Sequence, residues 1–237
     1  GGSEAGQQAS LSHTAALAGP DELYDGVFRQ SGIIRARSIP ELFDICWVLG
    51  TCPRPAGNRV IIQTHSGGPG AAAADACSRT GLVLAKLSRQ TRKELAPLVP
   101  ATGSMNNPID LTFSKNPQDF FTVIPNILLA ENNSDGLLVY FLAPAQIIRR
   151  AMEGMGIASD QIPQLAEKLF DDQGQALANL IAKHQKPLVG FTFHGHDELS
   201  VQKLRHHGVP VFPSPERAAR ALAALVDYSL LTASSQK

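Results

Sequence analysis

The 237-residue sequence lacks several features that mark whole classes of protein. Lys plus Arg and Asp plus Glu each number 21, so there is no basic surplus of the kind that binds nucleic acid or an anionic membrane. The longest apolar runs, such as residues 136–144, fall far short of the roughly 20 residues that span a bilayer. We therefore expect a globular protein that binds neither nucleic acid nor membrane.

Cysteine is also scarce. Cys46, Cys52 and Cys77 are too few for a disulfide scaffold, and their spacing matches no zinc site. Residues 1–6 contain none of the charged and apolar regions of a signal peptide, and no initiator Met precedes them. These features predict a protein of the reducing cytoplasm that was cut from a longer polypeptide.

What the sequence does contain is a regular alternation that begins near residue 58. Short apolar runs alternate with amphipathic stretches, and each run predicts a buried strand that a helix follows. The predicted strands are residues 59–65, 82–85, 109–112, 135–142, 187–193 and 209–212. A long helical pattern from Ile157 to His184 contains Gly174 as a candidate break. Six strand-then-helix units predict an α/β fold with a doubly wound parallel sheet.

Residues 1–37 do not follow this alternation. The pattern predicts a loop of small residues from Gly1 to Gly19, then a helix, then a short strand at residues 33–35. The helix is predicted to turn four apolar side chains inward: Leu23, Tyr24, Val27 and Phe28. That is too little to form an independent core, so this segment is interpreted as the end of a preceding domain.

The resulting domain prediction has three parts. Residues 1–37 are the remnant of a preceding α/β domain, residues 38–58 are a helix and a linker, and residues 59–237 are the main domain.

Two motifs carry the most chemical information. Ser12-His13-Thr14 lies among small residues, and a neutral histidine nitrogen is nucleophilic near pH 7 and can relay a phosphoryl group. A single histidine in a loop is more often an exposed bystander. The second motif, Thr64-His65-Ser66-Gly67-Gly68-Pro69-Gly70-Ala71, lies between the first strand and first helix of the main domain. Free amides of a first helical turn favour an anion there, although a tight turn that needs glycine is equally consistent.

Other polar residues are weaker candidates. Asn107 and Asp110 can orient a substrate or cap a turn, and the turn is slightly favoured. The stretch from His194 to Glu198 and the pair at residues 206–207 invite comparison with a zinc site, but no third ligand has convincing spacing. We therefore predict no metal site.

Taken together, these motifs resemble the NDP-forming acyl-CoA synthetases of the succinyl-CoA synthetase superfamily. Residues 3–44, SEAGQQASLSHTAALAGPDELYDGVFRQSGIIRARSIPELFD, are similar to the family's phosphohistidine segment. Residues 61–77, IIQTHSGGPGAAAADAC, resemble the start of its third domain, which has a flavodoxin-like fold. NPIDL at residues 107–111 and GVPVFPSPERAARALAAL at residues 208–225 also match, so the resemblance covers nearly the whole chain.

The resemblance implies a flavodoxin-like CoA-ligase domain in an acid–CoA ligase, and a role for each motif. His13, flanked by Ser12 and Thr14, would carry phosphate transiently between an acyl phosphate and ADP. Residues Ser66, Gly67, Gly68, Gly70 and Ala71 would cradle that phosphate. The implied substrates and cofactors are CoA, ATP or ADP, Mg²⁺ and a small carboxylic acid. A CoA-binding domain and an ATP-grasp domain or subunit would bind most of them, so we expect no acyl-CoA synthesis by this chain alone.

One departure and two rival functions remain. Ala15 stands where the family usually has glycine, and its methyl group restricts the backbone of the phosphohistidine segment. The main rival is a catalytically inactive module that senses acyl-CoA within a larger protein such as an acetyltransferase, although retention of His13 argues against it. The second rival is a flavin carrier. It would suit the fold, but the first turn of this sequence lacks a Ser/Thr-rich phosphate loop.

Overall fold

The structure, a computed structural model, describes residues 3–14, 21–112, 116–142 and 145–234. Its centre is a parallel sheet of six strands: β1 (Arg59–Thr64), β2 (Val83–Leu84), β3 (Ile109–Asp110), β4 (Gly136–Tyr140), β5 (Leu188–Phe191) and β6 (Val211–Phe212). The main strand order is β2-β1-β4-β5-β6, and β3 pairs with the last residues of β1. Every pairing is parallel, which confirms the predicted doubly wound sheet.

Ten α-helices lie within the described residues: α1 (Glu4–Thr14), α2 (Asp21–Gln30), α3 (Ile39–Thr51), α4 (Gly67–Arg79), α5 (Arg89–Leu95), α6 (Val123–Ala130), α7 (Ala145–Gly154), α8 (Ile162–His184), α9 (Leu199–His206) and α10 (Pro215–Ser234). A 3₁₀ turn, Pro117–Phe120, precedes α6. None of these helices is long and apolar enough to cross a membrane.

The helices cover both faces of the sheet. On one face α3, α4 and α10 form a core with Val60 and Ile62 of β1. On the other, α5, α6, α8 and α9 pack around Ile61. Alternate side chains of a strand point to opposite faces, so an uninterrupted apolar run supplies both cores. Burial of each of these side chains contributes about 1.5–3 kcal/mol.

Helix α3 belongs physically to this main body. Ser38 caps it by accepting a hydrogen bond from the Glu41 amide. Its Asp44 accepts two hydrogen bonds of 2.7 Å from Arg217 of α10, and Glu41 accepts one of 2.6 Å from Arg220. Val48 is fully buried in the same core as β1.

Three predictions for the N-terminal residues are corrected by the structure. Residues 4–14 of the predicted loop form helix α1, and residues 33–35 form no strand. Leu23, Tyr24 and Val27 do not face inward, since 65%, 43% and 55% of their surfaces are exposed, and no residue of α2 is buried. Short helices supply few buried contacts on their own, so an apolar stripe that predicts a buried face remains uncovered in this chain.

Charged contacts hold this segment together. Asp21 and Asp25 of α2 both pair with Arg35, and Arg37 Nη2 lies 2.7 Å from Asp25 Oδ2. The pKa of each of the two aspartates is lowered from its ordinary value, chiefly by hydrogen bonds from these arginines. Exposed ion pairs contribute little each, so this network orders the local fold more than it adds stability.

Gly174 does not break a helix. Helix α8 runs through Gly174 without interruption. The glycine lies at the point where the end of α9 packs against α8. A Cβ atom at this position would lie 2.7 Å from Cδ2 of His207 and 3.0 Å from the Lys203 carbonyl oxygen. The glycine therefore serves close helix packing, which a single-sequence pattern does not distinguish from a helix end. Helix α7 was not predicted from the sequence.

Candidate active site

The carboxyl edge of the sheet has a switch point between β1 and β4. The chain leaves β1 towards β2 and β3 on one side and later returns to form β4 on the other. In doubly wound sheets, ligands bind outside the carboxyl ends of strands at such a switch in direction. The turn at residues 65–66 and the start of α4 lie at this point.

The Ser66 turn presents two free amides. Ser66 is extended and precedes α4 without capping it through its side chain. Thr64 Oγ1 shapes the turn by accepting from the Ser66 amide at 3.1 Å and donating to its carbonyl at 2.8 Å. The amides of Gly67 and Gly68 have no carbonyl partner one turn earlier, and both glycines are exposed. Since Pro69 has no N–H, two amides and the helix dipole face solvent here.

Gly70 and Ala71 occupy different places from the two exposed glycines. The Gly70 amide donates to the Ser66 carbonyl at 3.2 Å and is therefore already used. Gly70 is buried, and a Cβ atom there would lie 3.0 Å from Cγ2 of Thr64 and 3.4 Å from Cβ of Pro108. The observed geometry therefore assigns Gly70 to packing of α4 on β1. Ala71 is exposed on the first turn of the helix.

Asp110 lies beside the same helix terminus. Its Oδ1 accepts hydrogen bonds from the Thr112 amide at 3.0 Å and the Thr112 hydroxyl at 2.6 Å. Its Oδ2 would lie 3.6 Å from a Cβ atom on Gly67. A carboxylate is stabilised near a helix amino terminus, and here it adds a negative boundary to the amide-lined turn.

Asn107 makes three hydrogen bonds to the sheet. Its Oδ1 accepts from the Ile62 amide at 2.9 Å, and its Nδ2 donates to the carbonyls of Val60 at 2.8 Å and Ala85 at 3.1 Å. These bonds use the hydrogen-bonding capacity of both ends of the amide and join β1 to the chain that follows β2. The contacts favour turn and sheet stabilisation, the interpretation already preferred for this residue.

His65 is the residue at this edge whose environment the sequence did not reveal. Its ring stacks on Phe120 with centroids 3.6 Å apart and planes 14° apart. Burial lowers its pKa to about 4, against an opposing effect of the Asp110 charge, so the ring is neutral at pH 7. Its Nε2 and the Oε1 of Gln63 are buried without a hydrogen-bond partner. The only available signal was the alternation that puts His65 on the same face of the strand as Ile61.

His13 lies in the last turn of α1, not in a loop. The Ser12 hydroxyl donates to the Ala9 carbonyl at 3.0 Å, as side chains near helix ends often do. The side chains of His13 and Thr14 and all of residues 15–20, including Ala15, lie outside the described residues. Among the residues that the structure describes, no hydrogen bond or ion pair joins Ser12 to the Ser66 turn.

Two of the histidines considered as metal ligands, His196 and His207, have other partners, whereas Nε2 of His194 is buried without one. His196 Nδ1 lies 2.8 Å from Nη1 of Arg205, and Glu198 accepts a hydrogen bond of 2.6 Å from the Ala145 amide. His207 Nε2 lies 3.1 Å from Oδ1 of Asp171. Over the described residues, no group of three or more His, Cys, Asp or Glu side chains is placed to hold a metal ion.

Comparison with known proteins adds evidence that is independent of this geometry. Residues 1–49 match the family described as succinyl-CoA ligase like flavodoxin domain, and residues 60–148 match the ligase-CoA domain. Subunit alpha of ADP-forming acetate–CoA ligase II from Pyrococcus furiosus is 31% identical over 232 residues, which are 97% of this chain and 46% of that protein. ADP-forming acetate–CoA ligase I from Archaeoglobus fulgidus is 35% identical over 233 residues, 98% of this chain and 30% of that protein.

A solved structure is similar along the whole chain. The dinucleotide-forming acetyl-coenzyme A synthetase 1 of Ca. Korarchaeum cryptofilum, in complex with phosphate and ADP, has a TM-score of 0.78 and 27% sequence identity. The match covers 100% of this chain and 48% of that one. The chain thus spans about half the length, or less, of the relatives that it matches.

Proposed function

Because this chain belongs to the NDP-forming acyl-CoA synthetase family, we propose that it is the part of an acid–CoA ligase that carries the phosphoryl group on His13. The observation that supports this most is the amide-lined turn at Gly67 and Gly68, which lies at the switch point of a sheet in a chain that also contains the Ser12-His13-Thr14 motif. Two free amides at a helix amino terminus suit a phosphoryl group.

The proposed reaction is a two-step relay. A neutral nitrogen of His13 attacks the phosphorus of an acyl phosphate, the bond between phosphorus and the acyl oxygen breaks, and the carboxylate leaves. The terminal phosphate oxygen of ADP then attacks the phosphohistidine, which forms ATP and frees the ring. Both steps also run in reverse. The Gly67 and Gly68 amides would stabilise the charge on the phosphoryl oxygens, because preorganised donors are most effective where charge develops.

Three of the proposed phosphate-site residues would act mainly through shape. Ser66 holds the turn in its extended conformation, Gly70 allows α4 to approach β1, and Ala71 adds no bulk at the exposed first turn. Asp110 would repel an excess of negative charge and so help to orient the phosphoryl group. Asn107 would contribute through the position of the strand end, since both ends of its side-chain amide are engaged.

The remaining chemistry is proposed to lie in other parts of a cytoplasmic enzyme. Residues 1–37 would complete a preceding domain, residues 38–58 would join it to the flavodoxin-like domain at residues 59–237, and CoA would bind further upstream. An ATP-grasp domain or subunit would hold ADP and Mg²⁺. A small carboxylic acid is the proposed substrate.

The ligase is favoured over the acyl-CoA-sensing module. The relatives described above are named as ADP-forming CoA ligases, and the similarity to each extends over at least 97% of this chain. His13 would have no role in a module that only senses acyl-CoA.

Phosphorylation of His13 is the direct test of the proposal. The chain, assembled with its CoA-binding and ATP-grasp parts, is incubated with radiolabelled MgATP, or with acyl-CoA and labelled phosphate. We expect an acid-labile, base-stable label that is absent in His13→Ala. His206→Ala serves as the matched control, because His206 is exposed on α9 and should keep the label. Retention of the label in His13→Ala would exclude the proposed role of this residue.

A further inference from the structure

His65 connects the Ser66 turn to the interior of the protein. It follows the last residue of β1 and precedes the two exposed glycines whose amides face solvent. Its ring lies nearly parallel to the ring of Phe120, which is fully buried, and the two ring centroids are 3.6 Å apart. The position of the turn is therefore coupled to a rigid core residue.

Two further contacts make this connection stiff. Gln63, two residues earlier on the same face of β1, donates to the Phe120 carbonyl at 2.8 Å. The chain from Gln63 to His65 thus contacts Phe120 at two points, once by a hydrogen bond and once by stacking. On the other side, Thr112 Oγ1 lies 2.9 Å from the His65 carbonyl oxygen and 2.6 Å from Oδ1 of Asp110. The backbone of His65 is consequently tied to the carboxylate that borders the turn.

We propose that His65 is a positioning residue of the phosphate site, and that its flat ring, stacked on Phe120, holds the Gly67 and Gly68 amides at the place where the phosphoryl group is transferred. This inference rests on the proposed function, because it assigns a means of alignment to the same site. It also separates the two histidines: His13 carries the phosphoryl group, whereas His65 acts through the turn.

The surroundings of His65 do not suit a nucleophile or a proton donor. Its Nε2 is buried and has no hydrogen-bond partner. Burial lowers the pKa of the ring to about 4, so at pH 7 the ring is neutral and lacks the acidic proton of an imidazolium ion. A ring used for its shape needs neither property, and a phenyl ring of similar shape should replace it.

The test compares three variants at two positions. His65→Ala removes the stack, His65→Phe keeps an aromatic ring but removes both nitrogens, and Phe120→Leu removes the partner ring while keeping an apolar side chain. The rate of phosphoryl transfer and the KM for phosphate are measured in the complete ligase. His184→Ala is the control, because His184 ends α8 and bonds to Asn126, away from the carboxyl edge.

We expect His65→Ala to lower kcat by about 10²-fold, which is the usual effect of a misplacement of about 1 Å in a reacting site. His65→Phe should retain most of the rate, and His65→Ala combined with Phe120→Leu should lose no more than the larger single loss. An equal loss in His65→Phe and His65→Ala would overturn the inference, because an imidazole nitrogen would then be required. An unchanged rate in His65→Ala would overturn it as well.

A second measurement does not depend on the ligase reaction. The amides of Ser66 and Gly70 are hydrogen-bonded within the turn, and in the 237-residue chain their hydrogen exchange should be faster in His65→Ala than in the wild type and restored in His65→Phe. If His13 takes no label but this pattern is found, the proposed function fails while the mechanical coupling stands. Unchanged exchange in His65→Ala would refute the coupling itself.

Discussion

Replacement of Gly68 and of Gly70 by alanine should have opposite effects on stability, although the two glycines are two residues apart in α4. A Cβ atom on Gly68 would meet no atom within 4 Å. Alanine restricts the unfolded chain more than glycine does, so Gly68→Ala should stabilise the protein by about 0.4–1 kcal/mol. The same gain applies at Gly70, but there the new methyl group would lie 3.0 Å from Cγ2 of Thr64 and 3.4 Å from Cβ of Pro108.

At Gly70 the cost of overpacking outweighs the gain from restricting the unfolded chain. Overpacking of a well-packed site costs about 1–3 kcal/mol, so, at the centres of the two ranges, Gly70→Ala should destabilise the protein by about 1.3 kcal/mol after the gain is subtracted. The two variants should therefore differ by about 2 kcal/mol. Denaturation in urea measures this difference, and a thermal scan should show a gap of several degrees, at roughly 2–4 °C per kcal/mol for a domain of this size.

The two variants should also differ in phosphate binding, and here Gly68→Ala should have the larger effect. Gly68→Ala adds a methyl group beside an exposed amide, so the complete ligase should bind phosphate more weakly although the chain is more stable. Gly70→Ala should change stability more than phosphate binding, because its amide already donates to Ser66. If Gly68→Ala destabilised the chain as much as Gly70→Ala, the assignment of one glycine to ligand access and the other to packing would be wrong.

Two further predictions concern residues that support the site. Asn107→Ala should lower the free energy of unfolding by about 2 kcal/mol, because it leaves backbone groups of Ile62, Val60 and Ala85 without this partner, while the KM for phosphate should change little. Asn106 is exposed, so the control Asn106→Ala should change the free energy of unfolding by no more than about 0.5 kcal/mol. A rise in the KM for phosphate that is confined to Asn107→Ala would instead favour a contact with the substrate. Burial alone would raise the pKa of Glu131, but hydrogen bonds from the amides of Asn133 and Ser88 outweigh it and lower that pKa to about 2. This contribution to stability is complete above the ordinary carboxyl pKa of 4.5 and is lost as the pH falls towards 2, so the gap in urea midpoint between wild type and Glu131→Gln should narrow between pH 5 and pH 3, and a constant gap would contradict the assignment.

Much of the fold, and the position of the glycine-rich turn that forms part of the candidate site, could be predicted from local pattern. The run from Arg59 to His65 predicted a strand that the structure places from Arg59 to Thr64, and the glycines after it predicted the start of α4. The prediction of a loop at residues 1–19 failed for residues 4–14, because glycine in this segment disfavours a helix whereas Ala, Glu and Gln favour one, and no apolar stripe distinguished the two. The prediction that the apolar face of α2 points inward failed for a different reason. An apolar stripe shows that a helix face can be buried but not which element covers it.

The sequence by itself determined the parallel sheet and the amide-lined turn at its carboxyl edge. Strands buried on both faces require uninterrupted apolar runs, and a turn that exposes amides requires residues without side chains, so both leave a local signature. Only the tertiary structure decided what Gly70, Asn107, Gly174 and His65 do. Gly70 allows α4 to pack closely on β1, and Gly174 allows α9 to pack closely on α8. Asn107 joins β1 to the chain that follows β2, and His65 stacks on Phe120. Each of these roles depends on a partner distant in the chain, and the identity of that partner is set by how the layers pack, which no local pattern contains.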